Sequence, residues 1–257
     1  IQGAAQAFVT TGETQTLDLR IGRVVHRSQV SRTGVQIRVQ RRRSSAFVED
    51  VEIVAQRRRL SAVEVALQHR HRFGEVLVDG SIALRQGVPW FDAEDPLPDA
   101  GPNTPDPRYT LGTLDVLLAV PLRFAPVPLR YQGTLRAQVT SDALFSQDFF
   151  SIGNRFTVRG FDGERTLAAD RGWLVRNELA TPLPLAGHEL YAGVDHGQVG
   201  GPFADNLAGT RLTGAVIGVR GGVRGLLYEG FVGWPLSRPA GFPSDSPNFG
   251  FQLLYQF

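Results

Sequence analysis

Three residue types are missing from this sequence of 257 residues: cysteine, methionine and lysine. The absence of Cys excludes a disulfide framework, a Cys-based zinc site and a thiol nucleophile, and it is compatible with an oxidising compartment. Because Met is absent, we expect the chain to be a mature or truncated segment. The 27 basic residues are all Arg, and with 25 acidic residues the net charge is only +2.

Long apolar runs are missing as well. No stretch approaches the roughly 18 to 20 consecutive apolar residues that a transmembrane helix needs, and residues 1–25 lack the charged start and apolar run of a signal peptide. The sequence therefore excludes a helical membrane protein. It does not exclude a β-barrel, because barrel strands need only about 9 to 11 residues, of which every second one faces lipid.

The main positive signal is an alternation of apolar and polar residues with period two, which is typical of strands with one apolar face. At the C-terminus, apolar side chains fall on one face of such a strand, namely Phe249, Phe251, Leu253, Tyr255 and Phe257. Segments of this kind predict eleven strands, near residues 17–28, 33–46, 60–73, 75–87, 110–124, 127–140, 172–183, 188–199, 211–223, 225–237 and 248–257.

The predicted strands are long and their connections are uneven. Many strands exceed about ten residues, against a usual five or six in soluble sheets. The links at 73–75 and 224–225 are short, whereas those at 90–108, 141–171 and 200–210 are long and rich in Pro, Gly and Asp. Short turns at one rim and long loops at the other are typical of an outer-membrane barrel. A soluble β-sandwich is the alternative, but it does not explain why Arg recurs on strand after strand.

An odd number of strands is informative, because bacterial single-chain barrels have even numbers. We therefore expect residues 1–257 to form part of an all-β, antiparallel transmembrane barrel whose first strands lie upstream of Ile1.

A motif in the longest connection points to a family. Residues 150–164 contain Val158-Arg159-Gly160-Phe161, and residues 170–179 follow with the run Asp-Arg-Gly-Trp-Leu-Val-Arg-Asn-Glu-Leu. This part of the chain resembles the two-partner secretion transporters of TpsB type, which form the haemolysin secretion/activation protein family. The stretch Tyr191 to Gly197 resembles the strand that follows the motif in that family.

The resemblance covers nearly the whole chain and implies an architecture. In that family a barrel of sixteen strands follows two periplasmic POTRA domains that bind the exported partner. The eleven strands would be the last eleven of the sixteen, with the POTRA domains and the first strands absent from this chain. The loop 141–171 would fold back into the lumen, where Arg159 of the motif pairs with Asp195 on the barrel wall.

The residues themselves support this pairing but leave an alternative open. Ala192 and Val194 form an apolar set, so Asp195 on the opposite face points to the lumen and needs a partner there. An Arg fork matches a carboxylate at two points, and Gly193 allows the backbones to approach. The alternative is that Arg159 and Asp195 are separate solvated charges.

The same alternation assigns further residues to the two faces. We expect lumen positions for Arg130, Arg136, Arg176, Glu178 and Asp195, of which Arg176 and Glu178 support the motif. We expect lipid-facing positions for Leu129, Leu135, Val175, Val194 and Phe251. Tyr255 and Phe257 resemble the family's C-terminal signal for the barrel-assembly machinery.

Other patterns do not indicate a second function. His69 and His71 share a face with Phe73, which favours a place at the membrane interface over a metal site. The Arg triplets 41–43 and 57–59 lack interleaved aromatic residues, so they favour contact with anionic outer-membrane lipid or solvation over nucleic-acid binding. Because no hydrolase, metalloprotease or phosphate-loop motif is present, no enzyme or cofactor site is predicted.

The expected function is the secretion of an unfolded partner exoprotein, such as a haemolysin or filamentous adhesin, across the bacterial outer membrane. Two alternatives stay open, a related insertase that assembles other barrels and a passive porin. The flanks at 150–153 and 171–179 favour secretion over the insertase. A passive porin needs no inward loop with an Arg-Gly-Phe motif.

Overall fold

One antiparallel sheet organises the chain in the computed structural model, which describes residues 9–124 and 127–256. In chain order the strands are β1 (Thr10–Arg27), β2 (Ser31–Val48), β3 (Val51–Glu52), β4 (Arg58–Phe73), β5 (Val76–Gly87), β6 (Thr110–Phe124), β7 (Val127–Val139), β8 (Phe150–Ile152), β9 (Leu167–Ala169), β10 (Arg171–Pro182), β11 (His188–Gly200), β12 (Arg211–Val223), β13 (Leu226–Ser237) and β14 (Asn248–Tyr255). Short 3-10 helices lie at Val54–Gln56, Ser146–Asp148 and Pro202–Asn206.

No helix among the described residues has the length and apolar character needed to cross a membrane.

The sheet has the path of a partial barrel. Its order is β1-β2-β4-β5-β6-β7-β10-β11-β12-β13-β14, so each long strand pairs with the next long strand along the chain. The two-residue β3 extends β2, and β8 pairs with β9 as a separate hairpin. Short turns such as 74–75 and 224–225 define a turn rim, and the long connections 88–109, 140–170 and 238–247 define the opposite, loop rim.

The prediction of eleven long antiparallel strands is confirmed, but three details differ. β1 begins at Thr10 rather than at residue 17, because the polar stretch before Leu17 pairs with β2 as far as Val48. Both faces of that stretch are polar, so the sheet continues where the alternation signal has ended. The short strand β3 and the hairpin β8–β9 were not predicted, since two or three residues carry no detectable period.

The strand register assigns every residue to a face, because directly opposed residues in an antiparallel pair point to the same side. We call the side that carries loop 140–170 the inner face. The five residues expected in the lumen lie on the inner face. Arg136, for example, is directly opposite Asp115 on one neighbouring strand and Leu174 on the other. In the same way Arg176 is directly opposite Asp195. The five residues expected to face lipid lie on the outer face, where Val194 is 49 % and Phe251 is 76 % exposed.

Two further sequence patterns, the His69–His71 pair and the Arg triplets, make local contacts. The His71 ring stacks on Phe73 with centroids 4.0 Å apart, and His69 Nδ1 lies 2.9 Å from the Thr33 hydroxyl. At the loop rim, one arginine from each triplet faces a carboxylate of the 88–109 connection. That carboxylate is Asp92, which lies 2.5 Å from Arg59 and 3.7 Å from Arg43.

A pair of neighbouring substitutions on β5 tests the face assignment. Ile82 is 57 % exposed on the outer face, whereas Ser81 points inward opposite Asp115. Ile82→Arg should destabilise the barrel in a bilayer by about 2–4 kcal/mol, because it moves a charge into the apolar band. Ser81→Arg is the matched control and should change the unfolding free energy little. Equilibrium unfolding in phospholipid vesicles measures both, and equal losses would contradict the assignment.

Candidate functional site

The connection between β7 and β10 covers the inner face at the loop rim. We call Thr140–Asp170 the lumen loop; it ends one residue before the predicted boundary because Arg171 already belongs to β10. Five of its apolar residues share a buried cluster with three residues of the wall and one of the β13–β14 connection, namely Ile152, Val158, Phe161, Leu167 and Ala169 with Leu174, Val199, Leu212 and Phe242. Leu144 of the loop packs in a second cluster with Tyr109 and Leu111. The loop is therefore held by an apolar core of its own as well as by charges.

Arg159 and Asp195 are in direct contact. The Arg159 guanidinium donates through Nε to Asp195 Oδ2 (2.7 Å) and through Nη2 to Asp195 Oδ1 (2.9 Å), which is a two-pronged contact. The Arg159 backbone N–H donates to the same carboxylate at 3.0 Å. Arg159 is 4 % exposed and Asp195 is fully buried. The alternative of two separately solvated charges is wrong.

A second carboxylate completes the charge balance of Arg159. Its Nη1 donates to Glu178 Oε2 at 2.6 Å, and the other Glu178 oxygen accepts from Arg220 at 2.7 Å. Although burial opposes the charge, the hydrogen bonds to Asp195 and Glu178 raise the pKa of Arg159 above its ordinary value. The guanidinium is therefore charged at every accessible pH. We call Arg159, Glu178 and Asp195 the anchor site.

Arg176 lies beside the anchor site without forming its strongest contacts. Its Nε is 3.8 Å from Asp195 Oδ2, and its Nη1 donates to the Phe156 carbonyl at 3.2 Å. It therefore connects the wall to the backbone of the lumen loop just before the motif.

Glycines on the wall let the motif lie directly on the strands. A Cβ atom at Gly193 would be 2.6 Å from Arg159 Nη2, and one at Gly214 would collide with the Arg159 carbonyl oxygen. Gly160 has a φ of +99° and lies against the Trp234 carbonyl, where a side chain has no room. The contact between loop and wall thus requires a glycine on both surfaces.

The neighbours of Arg159 in the motif point into the apolar cluster. Val158 is fully buried and Phe161 is 3 % exposed, with its ring edge-on to Phe242 at 5.9 Å between centroids. The four motif residues therefore have different roles. Arg159 carries the charge, Gly160 allows close contact with the wall, and the side chains of Val158 and Phe161 are buried in the apolar cluster.

The acidic residue after the motif closes a turn. Asp162 accepts backbone N–H groups from Asp245 (2.6 Å) and Glu164 (3.0 Å), and Gly163 adopts a φ of +84°. Partial burial acts in the opposite direction, but these hydrogen bonds hold the pKa of Asp162 below its usual range. The lumen loop is thereby joined to the connection between β13 and β14.

Two polar residues of this region were not predicted from the sequence. Asp170 is 1 % exposed and accepts the backbone N–H groups of Leu144 (2.8 Å) and Phe203 (2.9 Å), which ties the lumen loop to the β11–β12 connection. Arg220 is the second partner of Glu178. A signal existed for both, since Asp170 opens the family-like run 170–179 and the alternation of β12 places Arg220 on the inner face.

Tyr255, one of the two expected assembly residues, lies apart from the anchor site. Tyr255 is 61 % exposed on the outer face of β14, in line with Phe249, Phe251 and Leu253. Phe257 lies outside the described residues.

The chain is similar to known transporters over most of its length. Residues 1–221 match the family described as haemolysin secretion/activation protein ShlB/FhaC/HecB. Over 256 residues, 98 % of the chain, it is 39 % identical to the outer membrane transporter CdiB-2 of Burkholderia pseudomallei (strain 1026b), of which the match covers 44 %. It is 25 % identical over 190 residues, 73 % of the chain, to the hemolysin transporter protein HpmB of Proteus mirabilis, of which the match covers 34 %.

Solved structures show the same architecture. CdiB from Acinetobacter baumannii matches 93 % of the chain with a TM-score of 0.80 and 29 % identity, and the match covers 42 % of that structure. CdiB from Escherichia coli matches 98 % of the chain with a TM-score of 0.86; at 23 % identity over 47 % of that structure, this likeness concerns the fold. The chain spans less than half the length of these relatives.

Adding one methyl group to the wall tests the contact between loop and strand. In Gly214→Ala the new Cβ meets the Arg159 carbonyl and is 3.2 Å from Gly160 Cα, so the loop must shift. Such overpacking costs about 1–3 kcal/mol. We expect faster trypsin cleavage within residues 155–165 of the folded protein. Gly230→Ala is the control, because nothing lies within 4 Å of its Cβ; equal cleavage rates in both variants would refute the contact.

Proposed function

Because the chain belongs to the haemolysin secretion/activation protein family, we propose that it forms the C-terminal part of a pore that secretes a partner exoprotein. Its location is the bacterial outer membrane, as for the relatives named outer membrane transporters. The observation that carries the proposal is the buried contact of Arg159 with Asp195. A permanently open pore has no need of a loop that is anchored by charge inside it.

The anchor site fixes where the lumen loop lies. Removing one partner of a buried, hydrogen-bonded ion pair costs about 3–5 kcal/mol, because the other charge stays buried without compensation. The pair therefore holds the loop in one well-defined position. For transport, either the loop is displaced from this position or the client moves past it. In this proposal the loop sets the open or closed state of the path.

Transport, rather than catalysis, is the activity that we propose. In this proposal the direction of transport comes from the client. Folding of the exported part outside the cell removes the unfolded chain from equilibrium and makes outward movement favourable. A client that folds slowly would then be secreted slowly.

Further partners follow from the two faces and from the length of the relatives. The apolar outer face contacts outer-membrane lipid, whereas Arg43 and Arg59 at the loop rim are already paired with Asp92. The barrel-assembly machinery inserts the chain through β14. We further propose that the whole protein also contains POTRA domains and the first strands of the barrel, and that the POTRA domains bind the client.

Substitutions at the anchor site test the proposed role. Arg159→Ala and Asp195→Ala should each lower client secretion, while barrel insertion, read as heat-modifiable migration on gels, stays normal. The double variant should be little worse than either single variant, because the two residues share one interaction. Arg159→Lys should restore only part of the secretion, since an ammonium group cannot make the two-pronged contact.

The matched control for these variants is Arg136→Ala. Arg136 also lies on the inner face, but it pairs with Asp115 at 2.8 Å and is half exposed. Its loss should leave secretion near the wild-type level. If Arg159→Ala and Asp195→Ala secrete normally, or if their losses simply add, the pair does not control the path.

A deletion tests the assembly signal. Removing Phe257 should reduce the amount of barrel in the outer membrane, because the alternating sequence pattern of the C-terminus then lacks its last aromatic residue. Gln256→Ala keeps that aromatic residue and is the control. Fractionation of the cell envelope measures both, and normal outer-membrane levels without Phe257 would rule out this signal.

A further inference from the structure

The carboxylate of Glu178 is shared between two arginines. Its Oε2 accepts from Arg159 at 2.6 Å, and its Oε1 accepts from Arg220 at 2.7 Å. Glu178 is 7 % exposed, so solvent has little access to its oxygens and both arginines matter for its charge. The direction in which the Glu178 carboxylate faces the lumen loop therefore depends on Arg220, a residue of β12 that does not touch the loop motif.

Arg220 is itself held in one orientation. Its guanidinium lies over the Tyr191 ring, 4.7 Å from the centroid, and its Nη2 is 3.3 Å from Glu189 Oε2. Tyr191 is 1 % exposed and donates its hydroxyl to Glu229 at 2.7 Å. A stacked and doubly paired guanidinium has little freedom to follow Glu178 if that side chain moves.

The contacts continue from Arg220 to the turn rim. Glu189 also accepts from Arg130, at 2.5 Å. Negative and positive side chains thus alternate in a row that includes Arg159 of the lumen loop and five residues of the inner face. The order is Asp195, Arg159, Glu178, Arg220, Glu189 and Arg130. Short turns of outer-membrane barrels face the periplasm. This row of charges therefore joins the anchor site to the periplasmic side of the barrel.

We propose that Arg220 is a positioning residue for the lumen loop, which it holds by orienting Glu178 towards Arg159. The expected effect on secretion rests on the proposed function, whereas the expected effect on the position of the loop does not. Without Arg220, Glu178 Oε1 loses its charged partner, and the carboxylate is no longer fixed in the orientation in which Oε2 meets Arg159. The loop tip then keeps its contacts with Asp195 and the apolar cluster but loses the fixed contact with Glu178, so it leaves the wall more often.

A cysteine introduced into the loop reports on this movement, because these 257 residues contain none and any cysteine elsewhere in the full-length protein is first replaced by Ser. Val158 is fully buried beside Arg159, so Val158→Cys in the full-length protein, in outer-membrane preparations, should react slowly with a water-soluble maleimide. Adding Arg220→Ala should raise the labelling rate on the order of fivefold, the factor that corresponds to about 1 kcal/mol. Arg220→Lys should lie between the two, since it keeps the charge and loses the stacked, branched contact.

The comparison with Glu178 separates a positioning role from a merely structural one. In a Glu178→Gln background, Arg220→Ala should add little to the labelling rate, because the group through which Arg220 acts is already changed. A role limited to packing against Tyr191 would add its full effect in both backgrounds. Arg136→Ala, an inner-face arginine without contact to the anchor site, should leave labelling unchanged. If Arg220→Ala does not reach the membrane, Arg220→Lys carries the comparison.

Labelling and secretion are measured on the same variants, so the two claims can fail separately. Faster labelling with reduced secretion supports both. Faster labelling with normal secretion supports the role of Arg220 and overturns the role of the loop in export. The inference is overturned if the labelling rate is unchanged in both Arg220→Ala and Arg220→Lys. It is also overturned if Arg220→Ala raises the labelling rate equally in the wild-type and the Glu178→Gln backgrounds. Neither result depends on the Arg159 variants.

Discussion

A guanidinium buried against the inner face of the sheet sets the conditions that the surrounding structure has to meet. Arg159 is 4 % exposed, so its charge has to be balanced locally, and Asp195 and Glu178 do this from two neighbouring strands. The carboxylates reach it only because the loop backbone lies directly on the wall. That contact in turn requires Gly193 and Gly214, where a side chain would occupy the same space.

The value of this arrangement lies in position rather than in stability. Buried ion pairs are weak evidence for net stabilisation, since desolvation offsets much of their attraction, but an unpaired member is costly. Other contacts of the lumen loop act over a wide arc of the sheet. Asp148 lies 3.4 Å from Arg85 of β5, and Arg155 donates to Gln252 of β14 at 2.9 Å. The anchor site thus fixes the tip of a loop that spans from the early strands to the last one.

Alternation made the strands and their faces predictable, and it failed where the physical cause of alternation is absent. Ile82 is apolar and lies on the outer face, whereas Ser81 is polar and lies on the inner face, so the residue types alone identify the two faces. The stretch before Leu17 is polar on both faces and still pairs with β2, so its backbone hydrogen bonds leave no trace in the pattern. The hairpin β8–β9 is too short for a period to show.

The sequence by itself determined the class of fold, the eleven long strands, the inner position of Asp195 and the motif whose arginine meets it. The tertiary structure alone decided that both oxygens of Glu178 are used, that Arg220 is the second partner, and that Asp170 collects two backbone N–H groups. These contacts join residues of different strands and loops. Their geometry follows from the register of each strand pair and from the path of the loop, which are set by the whole hydrogen-bonded sheet and not by any local pattern.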